Sequence, residues 1–164
     1  MKPVLLATDG SPTAEKATAT AIDLARLLGT DLVIVSVWDV AYAGYSAMGF
    51  APIPMNSDLA KLCEGEATKA IAEAAARAEE AGVETRSVVL RGFPVEAICD
   101  AAEKFAPQFL VIGSHGWGHI RGALLGSVSA GVLHHAPCPV LVVPAQSRRK
   151  ANTTATRERV ATEV

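Results

Sequence analysis

No stretch of this sequence approaches the roughly 18 continuous apolar residues of a membrane-spanning helix. The opening, Met1-Lys2-Pro3 followed by Val4, Leu5, Leu6 and Ala7, is too short in its apolar part for a signal peptide. Cysteine is scarce: Cys63, Cys99 and Cys138 lie far apart, form no CxxC pair, and read as small core residues of a reduced protein. Excess charge is lacking too. The formal net charge of -2 gives no sequence-wide attraction to nucleic acid, and Arg148, Arg149 and Lys150 read as the solvated start of a tail. There is no GxxxxGK[ST], no acid pair for magnesium, and Gly116-Trp117-Gly118 does not extend into GxGxxG. P-loop chemistry and a Rossmann dehydrogenase are therefore unsupported. A receiver domain wants an acidic cluster and a lysine after its fifth strand, where this chain has Pro144. His115 and His119 have metal-pair spacing but no nearby carboxylate or cysteine set, so zinc is unsupported. Without a dedicated lysine or base for phosphoryl transfer, no catalytic residue is assigned. The expectation is a soluble cytoplasmic protein with no membrane or nucleic-acid partner.

What the chain has is a regular alternation. At 164 residues, half of them hydrophobic, it has the size of one domain with a substantial core. Apolar runs at 3–8, 31–38, 83–90 and 108–112, and at Val140 to Val143, have the length and composition of buried strands. Between them, helical spacing predicts helices from Ser11-Pro12 to Gly29, over 58–81 with Gly82 as its stop, over 94–105, and over 127–135. On the second helix Leu59, Leu62, Cys63, Ala67, Ala70, Ile71 and Ala74 form the apolar face. Five strands alternating with four helices predict an α/β fold, an open parallel sheet with helices on both faces. Residues 39–57 lose the pattern and predict a long loop, either a mobile insertion or a lid or protein-partner segment. From Ala145 to Val164 the chain is polar and aperiodic, which predicts a disordered tail after a 1–144 domain.

The strongest chemical signal lies between strand four and the last helix. Gly113, Gly116 and Gly126-Ser127 are spaced G-2x-G-9x-G-S, with the first glycines at a strand end and the last pair opening a helix. Glycine amides without side-chain bulk, a helix N-terminus and a serine hydroxyl make an anion cradle that needs no lysine. The alternative is a flexible glycine loop. In an open parallel sheet ligands bind at the carboxyl ends of strands where the winding reverses. There Asp9, ending strand one, would face Gly113, with Val37 nearby to lie against an aromatic base. Asp9 could equally bond its own backbone in the Asp9-Gly10 turn.

These residues carry a family resemblance. The G-2x-G-9x-G-[ST] pattern, the opening VLLATDGS from Val4 to Ser11, VIGSHG from Val111 to Gly116, and HAPCPVLVV from His135 to Val143 resemble the nucleotide-binding universal stress proteins over about residues 2–144. The resemblance implies a flavodoxin-like, adenine-nucleotide-α-hydrolase-like fold of strand order 3-2-1-4-5. It implies ATP in the crevice, with or without magnesium on the triphosphate, and a homodimer paired along strand five, Val140 to Val143. An apolar edge strand also calls for a partner on physical grounds. By the same resemblance Asp9 and Val37 meet adenine, Ala7 lines the base, and Gly113 meets ribose and phosphate. Gly116, Gly126, Ser127 and the Val128 backbone surround the phosphates. Ser129 either adds a hydroxyl or bonds a carbonyl in the preceding turn. The function so implied is an ATP-binding regulator in the stress response. The alternatives are a slow ATPase or autophosphorylating enzyme, with Ser127 or a neighbouring hydroxyl as the acceptor, and a nucleotide-independent interaction module built on the 39–57 loop.

Overall fold

The computed structural model describes residues 1–38, 57–117 and 125–145, and its elements follow the predicted alternation. They are β1 (Val4–Ala7), α1 (Pro12–Leu28), β2 (Leu32–Trp38), α2 (Ser57–Glu80), β3 (Thr85–Arg91), α3 (Pro94–Phe105), β4 (Phe109–Gly113), α4 (Ser127–His135) and β5 (Val140–Val143). The sheet order is β3-β2-β1-β4-β5, as the family resemblance implied. Each adjacent pair is parallel, with Ala7 level with Val35 on one side and Ile112 on the other. The expected 39–57 loop, from Asp39 to Asn56, and the tail from Gln146 lie outside the described residues.

Period-two alternation divides the core between two layers. Val4, Leu6, Leu32, Ile34 and Val111 pack under Ala17, Ala21 and Ala25 of α1 and Ile71, Ala74 and Ala78 of α2. The intervening Leu5, Ala7, Val33, Val35, Leu110 and Ile112 pack against Ile98, Ala101 and Ala102 of α3 and Val132 of α4. Leu5, Leu6, Leu32, Ile34 and Leu110 are fully buried, each contributing about 2 kcal/mol of transfer free energy.

Helix boundaries follow from caps. Ser11 Oγ accepts from the Ala14 N–H at 3.2 Å, Pro12 begins α1, and Gly29 ends it at φ 62°, with Thr30 N–H donating to Ala25. Gly82 ends α2 at φ 74°. Val83 then donates to the Ala78 carbonyl, so β3 starts at Thr85, two residues later than its apolar content predicts. α3 closes on Ala106 in the left-handed region, φ 43°. That conformation costs a non-glycine residue about 1–2 kcal/mol, and Pro107 prevents the helix from continuing. One expectation fails on α2: Leu62 is 60% exposed. The buried face begins at Ala67, because β2 and β3 lie under only the later turns of this 24-residue helix.

Candidate functional site

β1 and β4 are neighbours at the centre of the sheet, and the winding turns from β1 toward β2 in one direction and from β4 toward β5 in the other. Their carboxyl ends therefore open the crevice where this fold class holds ligands. The structure brings Asp9, Gly113, Gly116, Gly126 and Ser129 together there, through a set of close backbone approaches.

Gly113 ends β4 under the first turn of α1. A Cβ at this position would stand 3.1 Å from Thr13 Cγ2 and 3.3 Å from the Ala14 nitrogen, so even alanine would press on helix backbone. Gly116 is tighter still: a Cβ there would collide with Asp9 Oδ2. The other oxygen, Asp9 Oδ1, accepts from the Ser11 N–H at 3.0 Å, which is the local turn bond expected as the alternative role for Asp9. The carboxylate is thus oriented by its own turn while its second oxygen lies against the glycine loop. Gly126 N–H donates to the Ser114 carbonyl at 2.7 Å, fixing the entry to α4.

α4 begins with Gly126 as its N-cap, in extended conformation and with no side chain to bond the amides of the first turn. A serine, threonine or aspartate there would occupy one of those donors itself. The positive end of the helix dipole and the first-turn backbone N–H groups of Ser127, Val128 and Ser129 thus share one end. Ser127 is exposed and Val128 half-buried. Ser129 is 3% exposed, and its hydroxyl donates to the Gly113 carbonyl at 2.6 Å. Of the two roles foreseen for Ser129, carbonyl bonding is the one observed. The acceptor is the end of β4 across the crevice, not the preceding helical turn. Ala7 is 6% exposed and packs among the α3 and α4 side chains, and Val37 borders the same cluster.

Two residues at the site escaped sequence reasoning. Ser114 joins several segments at once: its N–H donates to Val143, its carbonyl receives Gly126, and its hydroxyl accepts from Ala145 at 3.0 Å and lies 3.1 Å from His115 Nδ1. Ala145, where the tail was expected to begin, is therefore tied to the loop. Trp117 is 70% exposed, yet its indole Nε1–H donates to the Asp9 carbonyl at 2.9 Å. Its sequence signal was an aromatic residue between Gly116 and Gly118. His119, of the His115–His119 pair, lies outside the described residues. Among the described residues no group of three or more His, Cys, Asp or Glu could hold a metal ion. Among the described residues, a hollow of about 570 Å³ lies beside Lys2, Ala106 and Cys138 at the opposite end of the sheet, and another of about 480 Å³ lies between α1 and α2, lined by Thr8 and Gly10 on either side of Asp9.

The sequence model of the universal stress protein family matches residues 1–144. A universal stress protein of Mycobacterium tuberculosis is 36% identical over 143 residues, which are 85% of this chain and 44% of the relative. The chain thus spans less than half the length of that relative. The universal stress protein MJ0531 of Methanocaldococcus jannaschii is 32% identical over 87% of this chain and 81% of its own. Among solved structures, the hypothetical protein MJ0577 superposes with a TM-score of 0.75 at 27% identity, covering 89% of this chain and 97% of its own. A universal stress protein solved in complex with cAMP superposes at 0.62 with 28% identity, over 87% and 96% of the two chains. On the family match, the shared sheet order and the glycine-spaced loop at its switch point, this chain belongs to the universal stress protein family.

Proposed function

We propose that residues 1–144 bind an adenine nucleotide, ATP with or without magnesium, and that the chain acts as a nucleotide-dependent regulator in the stress response of the cytoplasm. The observation that carries this reading is the start of α4, where a glycine N-cap leaves the first turn without a side-chain cap at the switch point of the sheet. A phosphate needs such donors, and the cradle supplies them without a lysine. The solved relative that holds cAMP supports the adenine assignment. In this reading Gly116, Gly126, Ser127 and the Val128 backbone surround the phosphates, with Gly126 N–H kept by the Ser114 carbonyl and the amides of Ser127 and Val128 as the donors, and Gly113 meets ribose and phosphate. Asp9 and Val37 face adenine, and Ala7 lies beneath the base. Ser129 acts from behind, holding Gly113 against the helix start. With no three-residue acidic or histidine cluster among the described residues, magnesium would be held chiefly by the triphosphate itself.

Assembly follows from the edges of the sheet. β3 carries Arg86 and Arg91 with an ion pair from Arg86 to Asp31, whereas β5 is the uncharged run Val140 to Val143 with Leu141 exposed. An apolar edge pairs more readily than a charged one, so a second copy of the chain joins along β5. Sedimentation that shows only monomer at micromolar concentration would contradict this pairing.

Titration calorimetry with ATP and magnesium tests the nucleotide reading. Binding to the native chain, weakened at least tenfold in Gly126→Val, is the expected result. The valine Cβ would already be in contact with the His115 Cα and the Ser114 carbonyl at 3.4 Å, so the two methyl groups beyond it need room at the helix entry. Undiminished affinity in the variant would remove Gly126 from the site. Phosphate release reports hydrolysis and radiolabel retained on the protein reports autophosphorylation, for which the exposed Ser127 or a neighbouring hydroxyl would be the acceptor. The 39–57 loop as a partner segment is tested by deleting it, which should leave ATP affinity largely intact.

A further inference from the structure

A hydrogen bond holds Trp117 in place without burying it. The indole Nε1–H donates to the Asp9 carbonyl at 2.9 Å, yet the residue is 70% exposed. A large aromatic ring gains by being covered, and one left in water ordinarily keeps its rotamer freedom. Here part of that freedom is already lost while the ring still presents apolar surface to solvent. Two neighbours set its position. Gly116, the preceding residue, lies so close to Asp9 Oδ2 that a Cβ would collide with it, and the carbonyl that accepts the indole N–H is that of Asp9 itself. The indole therefore stands beside the exposed Asp9, just past the carboxyl ends of β1 and β4, where the crevice opens.

We propose that Trp117 is a stacking surface for the base of the bound nucleotide. The inference rests on the nucleotide reading above and supplies the second face of the base site. In that reading Asp9 faces adenine while Ala7 and Val37 give one aliphatic wall, which leaves the other face of the base in water. A purine is a flat aromatic surface that stacks on an indole, and a platform oriented beforehand loses less entropy when the ligand arrives. Asp9 ties the two functions together, its side chain toward the base and its carbonyl holding the indole. Removing a stacking aromatic weakens binding by about fivefold to a hundredfold, so Trp117→Ala should lose ATP affinity by a factor in that range. Trp117→Phe keeps a smaller stacking face without the Nε1–H donor, and its loss is smaller. A bare phosphate chain has no base to stack, so its binding does not involve the indole.

The test reads Trp117 directly in the full chain. Its two tryptophans are Trp38 and Trp117, so Trp38→Phe leaves Trp117 as the sole indole emitter, and a base stacked on an indole quenches its emission. ATP should quench that emission with the midpoint that calorimetry gives for binding, and tripolyphosphate, which has no base, should not. Calorimetry should also give weaker ATP binding in Trp117→Ala by the stated factor and a smaller loss in Trp117→Phe, with circular dichroism showing that both variants fold. Emission that stays constant while ATP saturates the site, or that tripolyphosphate quenches equally, overturns the stacking role. So does a Trp117→Ala variant that binds ATP as tightly as the native chain or tighter, or an equal loss in the alanine and phenylalanine variants. If the native chain binds no ATP, the nucleotide reading falls and the stacking role with it. ATP binding to the native chain without a response at Trp117 removes the stacking role alone.

Discussion

Replacing Ser129 by alanine removes a single buried hydroxyl from the contact that joins α4 to the end of β4. The Oγ lies 2.6 Å from the Gly113 carbonyl and Ser129 is 3% exposed, so water does not readily substitute for the lost donor. The lost hydrogen bond is worth about 1 kcal/mol, and a carbonyl left with one partner fewer in a buried position raises the cost to about 1–3 kcal/mol. For a chain of this size that corresponds to a fall in melting temperature of about 3–10 °C. Urea unfolding followed by circular dichroism, together with a thermal scan, measures both. The m-value should not change, because the surface exposed on unfolding is the same. ATP affinity measured well below the melting temperature should fall modestly, through the looser placement of Gly113, and not by the factor expected for a lost phosphate ligand. A variant as stable as the native chain would refute the role given to this hydroxyl. Full stability combined with a hundredfold loss of ATP affinity would make Ser129 a direct ligand instead.

Two further outcomes follow from packing and titration. Gly131→Ala places a Cβ 2.6 Å from Val95 Cγ2 and 3.1 Å from its Cγ1; the forced separation of α3 and α4 should cost about 1–3 kcal/mol in urea unfolding, and Gly131→Ala combined with Val95→Ala should recover part of it. Burial raises the Cys99 thiol above the ordinary thiol range, with smaller contributions from Asp100, Cys138 and Glu103. Burial likewise raises Cys138, partly offset by a hydrogen bond from the Leu110 backbone. The unfolded chain then loses these protons at lower pH than the folded one, so their contribution is fully present below the unfolded thiol value of about 8.5 and is lost as pH rises through the higher folded values. Stability measured from pH 7 to pH 10 should therefore decline on the alkaline side, and less steeply in a Cys99→Ala, Cys138→Ala variant; parallel curves would refute the assignment.

The layer architecture could be read from the sequence because its strands are buried on both faces and its helices carry their own caps. Ser11-Pro12, Gly29 and Gly82 act within a few residues, so their effects are local and the chain alone reveals them. The delay of β3 to Thr85 was not visible, since Val83 is apolar whether it enters the sheet or folds back on Ala78. The exposure of Leu62 depends on which turns of α2 lie over β2 and β3, a tertiary matter that periodicity does not encode. At the site, the spacing of Gly113, Gly116 and Gly126 pointed to an anion cradle, whereas the close approaches these glycines make to Thr13, Asp9 and His115 were not visible in it. Ser114 and Trp117 stayed hidden because their roles rest on bonds to Val143, Ala145 and Asp9, segments distant in sequence. A serine among glycines and a tryptophan in a loop carry no signal of such partners. Ser129 shows the same limit: its bond to a carbonyl was foreseen, but the identity of that carbonyl depended on how β4 and α4 meet.

The central claim is that backbone amides at the start of α4, not a lysine or a metal cluster, hold the phosphates of an adenine nucleotide. A crystal structure of this chain grown with saturating ATP and magnesium tests it directly. Phosphate oxygens are expected within hydrogen-bond distance of the amides of Ser127 and Val128, with Gly126 beside them and Asp9 facing the nucleoside. A crevice between β1 and β4 that holds only water, or a nucleotide seated instead in the hollow beside Lys2 and Cys138, would contradict it.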